Sequence, residues 1–168
     1  MADETSTQAR ESQGRHGAVP EAWKRFVRAR SALTRQMDSD LIASHGLTLS
    51  DYEVLLRLAQ APDLRMRRVD LAEGVLLTQS GITRLLAGLE KAGWVERASC
   101  DTDRRVVYAQ LTEAGQAKYR EAGRTHLEGI RTLFADHFSD PELETLAALI
   151  GRLPLRPIAG ECGPEDGS

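Results

Sequence analysis

The stretch from Thr78 to Gly93 constrains this 168-residue chain more than any other. Ile82, Leu85, Leu86 and Leu89 recur at the three- and four-residue steps of a single helix face. Gln79, Ser80, Thr83, Arg84 and Ala87 fall on the opposite face. Thr78 offers an N-cap oxygen and Gly93 a C-terminal stop. The spacing predicts a helix over Gln79–Ala92 that hides its leucines and leaves a short-chained polar face outside. Before it, Val69, Ala72 and Val75 recur every third residue, which predicts a short helix over 69–75. After it comes the chain's clearest β signal. Trp94–Arg97 and Val106–Leu111 are rich in β-branched and aromatic residues. The polar stretch 98–105 between them predicts a hairpin with a long loop, basic at Arg104 and Arg105.

The flanks read as helices. Aromatic residues make up only 5%, so the core must come mainly from Leu, Ile, Val and Ala, which suits helices. A first helix is expected to start at Pro20, to carry Phe26, Val27, Leu33, Met37, Leu41 and Ile42, and to end at Gly46. A second runs from about Ser50 to Gln60, capped by Thr48 or Ser50 and stopped by Pro62. Residues 64–68 read as a strand fragment. Thr112 caps a long helix to about His137, and Ser139-Asp-Pro-Glu142 opens the last one as a capping box. Leu143, Leu146, Ile150 and Leu153 follow at steps of three and four, a seam of coiled-coil type. The polar segment 1–18 has no apolar period and is expected to be a mobile arm; 154–168 is expected to be a flexible tail.

Charge adds a second line of argument. The formal net charge is −3, which taken alone disfavours a polyanion partner. The distribution is uneven, however. Residues 15–36 carry six basic residues against Glu21 alone, and the stretch from Asp136 onward carries seven acids against two arginines. One face for a polyanion and another for something else is one reading; a mixed solvated surface is the other. No apolar run reaches the roughly 18 residues of a membrane span. The polar start lacks the apolar region of a secretory signal, so the expected compartment is the cytoplasm. Cys100 and Cys162 are too few for a disulfide framework, and His16, His45, His126 and His137 lack ligand spacing, so neither a metal nor a cofactor is expected. No nucleophile elbow, phosphate loop or paired-carboxylate arrangement suggests an enzyme.

A short helix, a turn, an amphipathic helix and a β-hairpin in that order describe a winged helix-turn-helix. The segments Val69–Leu86 and Leu89–Arg97 carry it, with Asp103-Arg-Arg105 and Leu111-Thr-Glu-Ala-Gly115 after them. Over residues 20–153 the chain resembles the MarR family of bacterial transcription regulators. The helix-turn-helix turn departs from many such motifs, reading Val75-Leu76-Leu77 where a glycine is common. The expected fold is mainly α with a small β-hairpin. A single domain over 19–153 would hold a DNA-binding lobe at about 48–111 and dimerisation helices at 19–46 and 112–153.

The resemblance implies a sequence-specific double-stranded DNA-binding regulator, a homodimeric repressor released by a small ligand. Gln79, Ser80, Thr83 and Arg84 would face the major groove, where Arg suits guanine or phosphate and Gln suits adenine. The bland alternative is a solvated helix face. In the resembling family the arginine matching Arg105 enters the minor groove and the acid matching Asp103 orients it, with Arg104 beside them. The alternative there is a surface ion pair. Two copies would read a pseudo-palindromic operator, with Leu143, Leu146, Ile150 and Leu153 as the dimerisation seam unless it packs on the chain's own first helix. Trp23, Phe26, Arg28 and Tyr52 would line a site for a small aromatic or anionic effector, with core packing of the aromatics as the competing reading. Cys100 in the wing leaves redox sensing open.

Overall fold

The computed structural model describes residues 3–75, 77–99 and 107–153, which form two units, 1–37 and 38–168. The first unit is helix. It belongs to α1 (Asp3–His45), which continues into the second unit and has Pro20 in its interior. The start differs from the expectation of a mobile arm over 1–18 followed by a helix from Pro20. An apolar stripe says how a helix packs, not whether its backbone can form. Residues 3–19 include Glu, Gln, Ala and Arg, whose helix propensity is high. On the surface of this unit Glu21 pairs with Lys24 at 2.9 Å and Arg25 at 2.8 Å.

The second unit holds the core. Asp38 Oδ1, near the end of α1, accepts the N–H of Leu49 at 2.8 Å and ties the helix to the start of α2 (Leu49–Gln60). Gly46 adopts φ +66°, the left-handed turn that ends α1. Thr48 then caps α2: its Oγ1 accepts the Asp51 N–H, and Asp51 returns the bond to the Thr48 N–H at 2.9 Å. A single 3-10 turn, Pro62–Leu64, leads to β1 (Arg65–Arg67). Next come α3 (Arg68–Gly74), α4 (Gln79–Lys91), β2 (Val95–Ser99) and β3 (Val107–Leu111). The last elements are α5 (Glu113–Ala135) and α6 (Asp140–Ile150).

The sheet has three strands in the order β1-β3-β2, both pairings antiparallel. Met66 pairs with Ala109, and Arg97 pairs with the same residue from the other side. The fragment expected at 64–68 is therefore an outer strand of the wing sheet. Leu41, Leu47, Val54, Leu55, Leu58, Leu71, Ile82 and Leu86 are fully buried, so α1, α2, α3 and α4 close on one apolar centre. Val95, Ala109 and Leu111 bring the sheet onto it.

Candidate nucleic-acid interface

α4 separates its faces as its sequence requires. Ile82, Leu86 and Leu89 are buried, while Gln79, Ser80, Thr83, Arg84 and Ala87 are exposed. Thr78 Oγ1 accepts the Gly81 N–H at 3.1 Å and so fixes where the helix starts. Thr83 donates to the Gln79 carbonyl at 2.7 Å, which ties down one hydroxyl proton and leaves the oxygen's acceptor capacity outward. The first turn contains no acidic side chain. The amide groups there and Arg84 thus present positive potential, the arrangement that attracts phosphate.

Among the described residues between α3 and α4, no glycine adopts a positive φ. Val75 takes φ −97° and ψ 9°, open to any residue, and its N–H bonds the Leu71 carbonyl at 3.0 Å. Leu77 N–H then bonds the Ala72 carbonyl at 3.0 Å. These bonds close the C-terminal end of α3.

On the other side of α4, Gly93 adopts φ +76° and turns the chain into β2. Arg97 of β2 reaches back to Glu90 of α4 with a forked contact: Nε lies 3.0 and 2.9 Å from the two carboxylate oxygens, and Nη2 lies 2.9 Å from one of them. The sequence reading did not single out this pair. Asp103, Arg104 and Arg105, assigned to the wing tip, lie outside the described residues, as do Cys100 and the expected tail 154–168.

α5 anchors this lobe. The Thr112 N–H bonds the Trp94 carbonyl at 3.1 Å, and the Thr112 hydroxyl donates to the Gly93 carbonyl at 2.8 Å. Lys118 sits over the Trp94 ring, 5.5 Å from its centroid. Further along α5, His45 Nε2 and Thr125 Oγ1 share a 2.7 Å hydrogen bond, joining the end of α1 to α5.

Of the four residues assigned to an effector, Tyr52 is buried at 6% exposure. Its ring packs between Tyr119, at 5.9 Å, and His126, at 4.7 Å, and burial raises its hydroxyl pKa. Trp23 is 66% exposed in the first unit, and Phe26 and Arg28 are exposed there too. The core-packing reading of the aromatics thus describes Tyr52 and not Trp23 or Phe26.

His126 gives this contact a pH dependence. Burial lowers its pKa below the ordinary histidine value, and its Nδ1 is buried with no hydrogen-bond partner. The fold therefore favours the neutral ring, whereas the unfolded chain titrates near about 6.5. Its contribution to stability is fully present above that value and is lost as pH falls from there through the lowered folded value. Urea unfolding between pH 7.5 and 5 is expected to show a shallower acid loss for His126→Phe than for the unaltered protein. Parallel curves would remove His126 from the account.

α6 has no buried residue. Leu143, Leu146 and Ile150 are half-buried, Leu149 is 50% exposed, and Leu153 lies just past the helix end, also exposed. The Phe134 and Phe138 rings meet at a tilt of 35°, with centroids 6.1 Å apart. The box expected at Ser139 is present: the Ser139 N–H and hydroxyl both donate to Glu142, at 2.9 and 2.7 Å, and hold its carboxyl below the usual range. Among the described residues no cluster of His, Cys, Asp or Glu could hold a metal, and no helix is long and apolar enough to cross a membrane.

Comparison with known proteins decides what this lobe is. The MarR family model matches residues 47–107, the span from the start of α2 into β3. AbsC, a MarR family transcriptional regulator from Streptomyces coelicolor, is 32% identical with a TM-score of 0.69, over 77% of this chain and 86% of that one. The chain belongs to the MarR family. Sco3205, a MarR family regulator from the same organism solved in complex with DNA, has a TM-score of 0.71 at 28% identity, over 79% of this chain and 82% of that one. The HTH-type transcriptional repressor YetL of Bacillus subtilis (strain 168) is 30% identical over 111 residues, 66% of each chain. The protein is a MarR-family DNA-binding transcriptional regulator with a winged-helix fold, not an enzyme.

Proposed function

We propose that this MarR-family regulator is a homodimeric repressor that reads a pseudo-palindromic operator and is released by a small aromatic or anionic effector. One observation carries the DNA-reading part: Gln79, Ser80, Thr83 and Arg84 stand exposed on α4 opposite the buried Ile82, Leu86 and Leu89. A helix of this kind fits the major groove, where Arg84 addresses guanine or phosphate and Gln79 addresses adenine. Arg105, oriented by Asp103, takes the minor groove beside it, with Arg104 as the second DNA-binding arginine there. The repressing sign is supported by the likeness to YetL, an HTH-type transcriptional repressor.

The dimer follows from the same economy of contacts. One winged lobe reads too few base pairs for operator affinity, so two lobes are placed about one helical turn apart. The incompletely buried apolar side chains Leu143, Leu146 and Ile150 of α6, with Leu153 just past it, supply the contact between copies. For the effector, Trp23, Phe26 and Arg28 offer accessible rings and a cation. Effector and operator must oppose each other by the same factor in both directions.

Selection of bound duplexes from a random pool tests the reading. A palindrome with half-site centres about 10 base pairs apart is expected, preferred over bulk DNA by about 10³ or more. Sedimentation at low micromolar concentration is expected to give a dimer. A monomer there, or selection without a shared sequence, overturns the proposal.

A further inference from the structure

We propose that Glu90 and Arg97 form a positioning clamp that sets the angle of β2, the strand leading into the wing, against α4. The inference rests on the reading that α4 and the wing engage the same duplex. Among the described residues, β2 lies at the edge of the sheet and pairs only with β3. At its start, the Gly93 N–H bonds the Glu90 carbonyl and the Trp94 N–H bonds the Leu89 carbonyl, each at 3.0 Å, so the turn itself is fixed. Beyond it, Val95 and Arg97 share one strand face; Val95 is buried, and Arg97 crosses back over the last turn of α4.

The contact has the geometry that a positioning role needs. Nε touches both oxygens of Glu90 and Nη2 adds a further contact, so the plane of the guanidinium is set by the carboxylate. The Glu90 side chain is only 22% exposed, whereas Arg97 is 61% exposed. The more enclosed acid therefore holds the more exposed base. The Arg67–Asp70 pair spans three residues at one helix start, whereas Glu90–Arg97 joins a helix to a strand. Arg97 thus acts through Glu90, and its exposed charge is not the main point of its placement.

Electrostatics makes the two roles predict opposite signs. If Arg97 served as a phosphate contact that Glu90 merely competes for, Glu90→Gln would release the cation, remove a negative charge near DNA and strengthen binding. A clamp predicts that Glu90→Gln weakens binding. The experiment measures affinity for the selected palindrome at several salt concentrations for the unaltered protein, Glu90→Gln, Arg97→Gln, the double variant and the swap Glu90→Arg/Arg97→Glu. Thermal melts show which variants remain folded at the assay temperature.

The expected result is a loss of about threefold to tenfold in Glu90→Gln with the salt slope unchanged. Arg97→Gln should lose a similar amount, the double variant no more than either, and the swap should recover much of the loss. Unchanged or tighter binding by Glu90→Gln overturns the clamp. So does a lower salt slope confined to Arg97→Gln, which would make Arg97 a phosphate contact. Absence of any preferred sequence for the unaltered protein would instead sink the underlying reading of α4 and the wing.

Discussion

Gly115→Ala is expected to lower the melting temperature by about 4–16 °C. A β-carbon at this position would collide with the carbonyl oxygen of Trp94 and lie 2.7 Å from Leu111 Cδ1. A side chain can rotate away from such a clash, but the Trp94 carbonyl is backbone. It already accepts the Thr112 N–H at 3.1 Å, and Gly115 N–H bonds Thr112 Oγ1 at 3.0 Å. Relieving the clash must shift the start of α5 away from the turn between α4 and β2. Overpacking costs about 1–3 kcal/mol and sometimes more. Alanine returns about 1 kcal/mol in helix propensity. Because backbone must move here, a net loss of about 2–4 kcal/mol is expected, at about 2–4 °C per kcal/mol for a chain of this size. Gly88→Ala on α4 is the matched control. Nothing lies within 4 Å of its added carbon, so the propensity gain stands alone and the melt should rise slightly. Equal melting of the two variants would show that the Trp94 contact has no such weight.

Much of this lobe was legible because its signals are local. Thr48, Thr78, Thr112 and Ser139 cap the helices expected to follow them, and the leucines of α4 point where their spacing places them. A cap acts within one turn and an amphipathic stripe within three, so both survive in a bare sequence. The sheet shows the limit. Arg65–Arg67 is three residues long and finds its partner in Gln110–Tyr108, more than forty residues on, so a fragment was readable and its pairing was not. Glu90 and Arg97 lie seven residues apart across a helix-to-strand turn, where neither helical nor strand spacing applies. Tyr52 and His126 meet only because α2 packs on α5. The start of α1 was misplaced for a different reason. Pro20 suits the first turn of a helix, but a preceding stretch with good propensity can extend the helix past it.

Arg84→Ala tests the face of α4 itself, and its expected effect on binding is the largest. Arg84 is exposed on the first half of α4, and among the described residues no ion pair occupies its guanidinium. Losing it should cost the fold little, since exposed substitutions of this kind stay within about 0.5 kcal/mol. Binding is another matter. A forked contact to a guanine edge is worth about 1–3 kcal/mol, and in a dimer it is lost from both half-sites. Affinity for the selected operator should fall by at least about tenfold, with relaxed preference at one base pair of each half-site. Lysine separates the two chemistries that Arg84 can perform. If the contact is to phosphate, Arg84→Lys retains most of the affinity, and Arg84→Ala loses binding evenly across sequences with a shallower salt slope. If the contact is to guanine, Arg84→Lys keeps the charge but loses the fork, and the base preference weakens with it. Both outcomes leave α4 in the groove. An Arg84→Ala protein that binds operator and bulk DNA as the unaltered protein does would take α4 out of it.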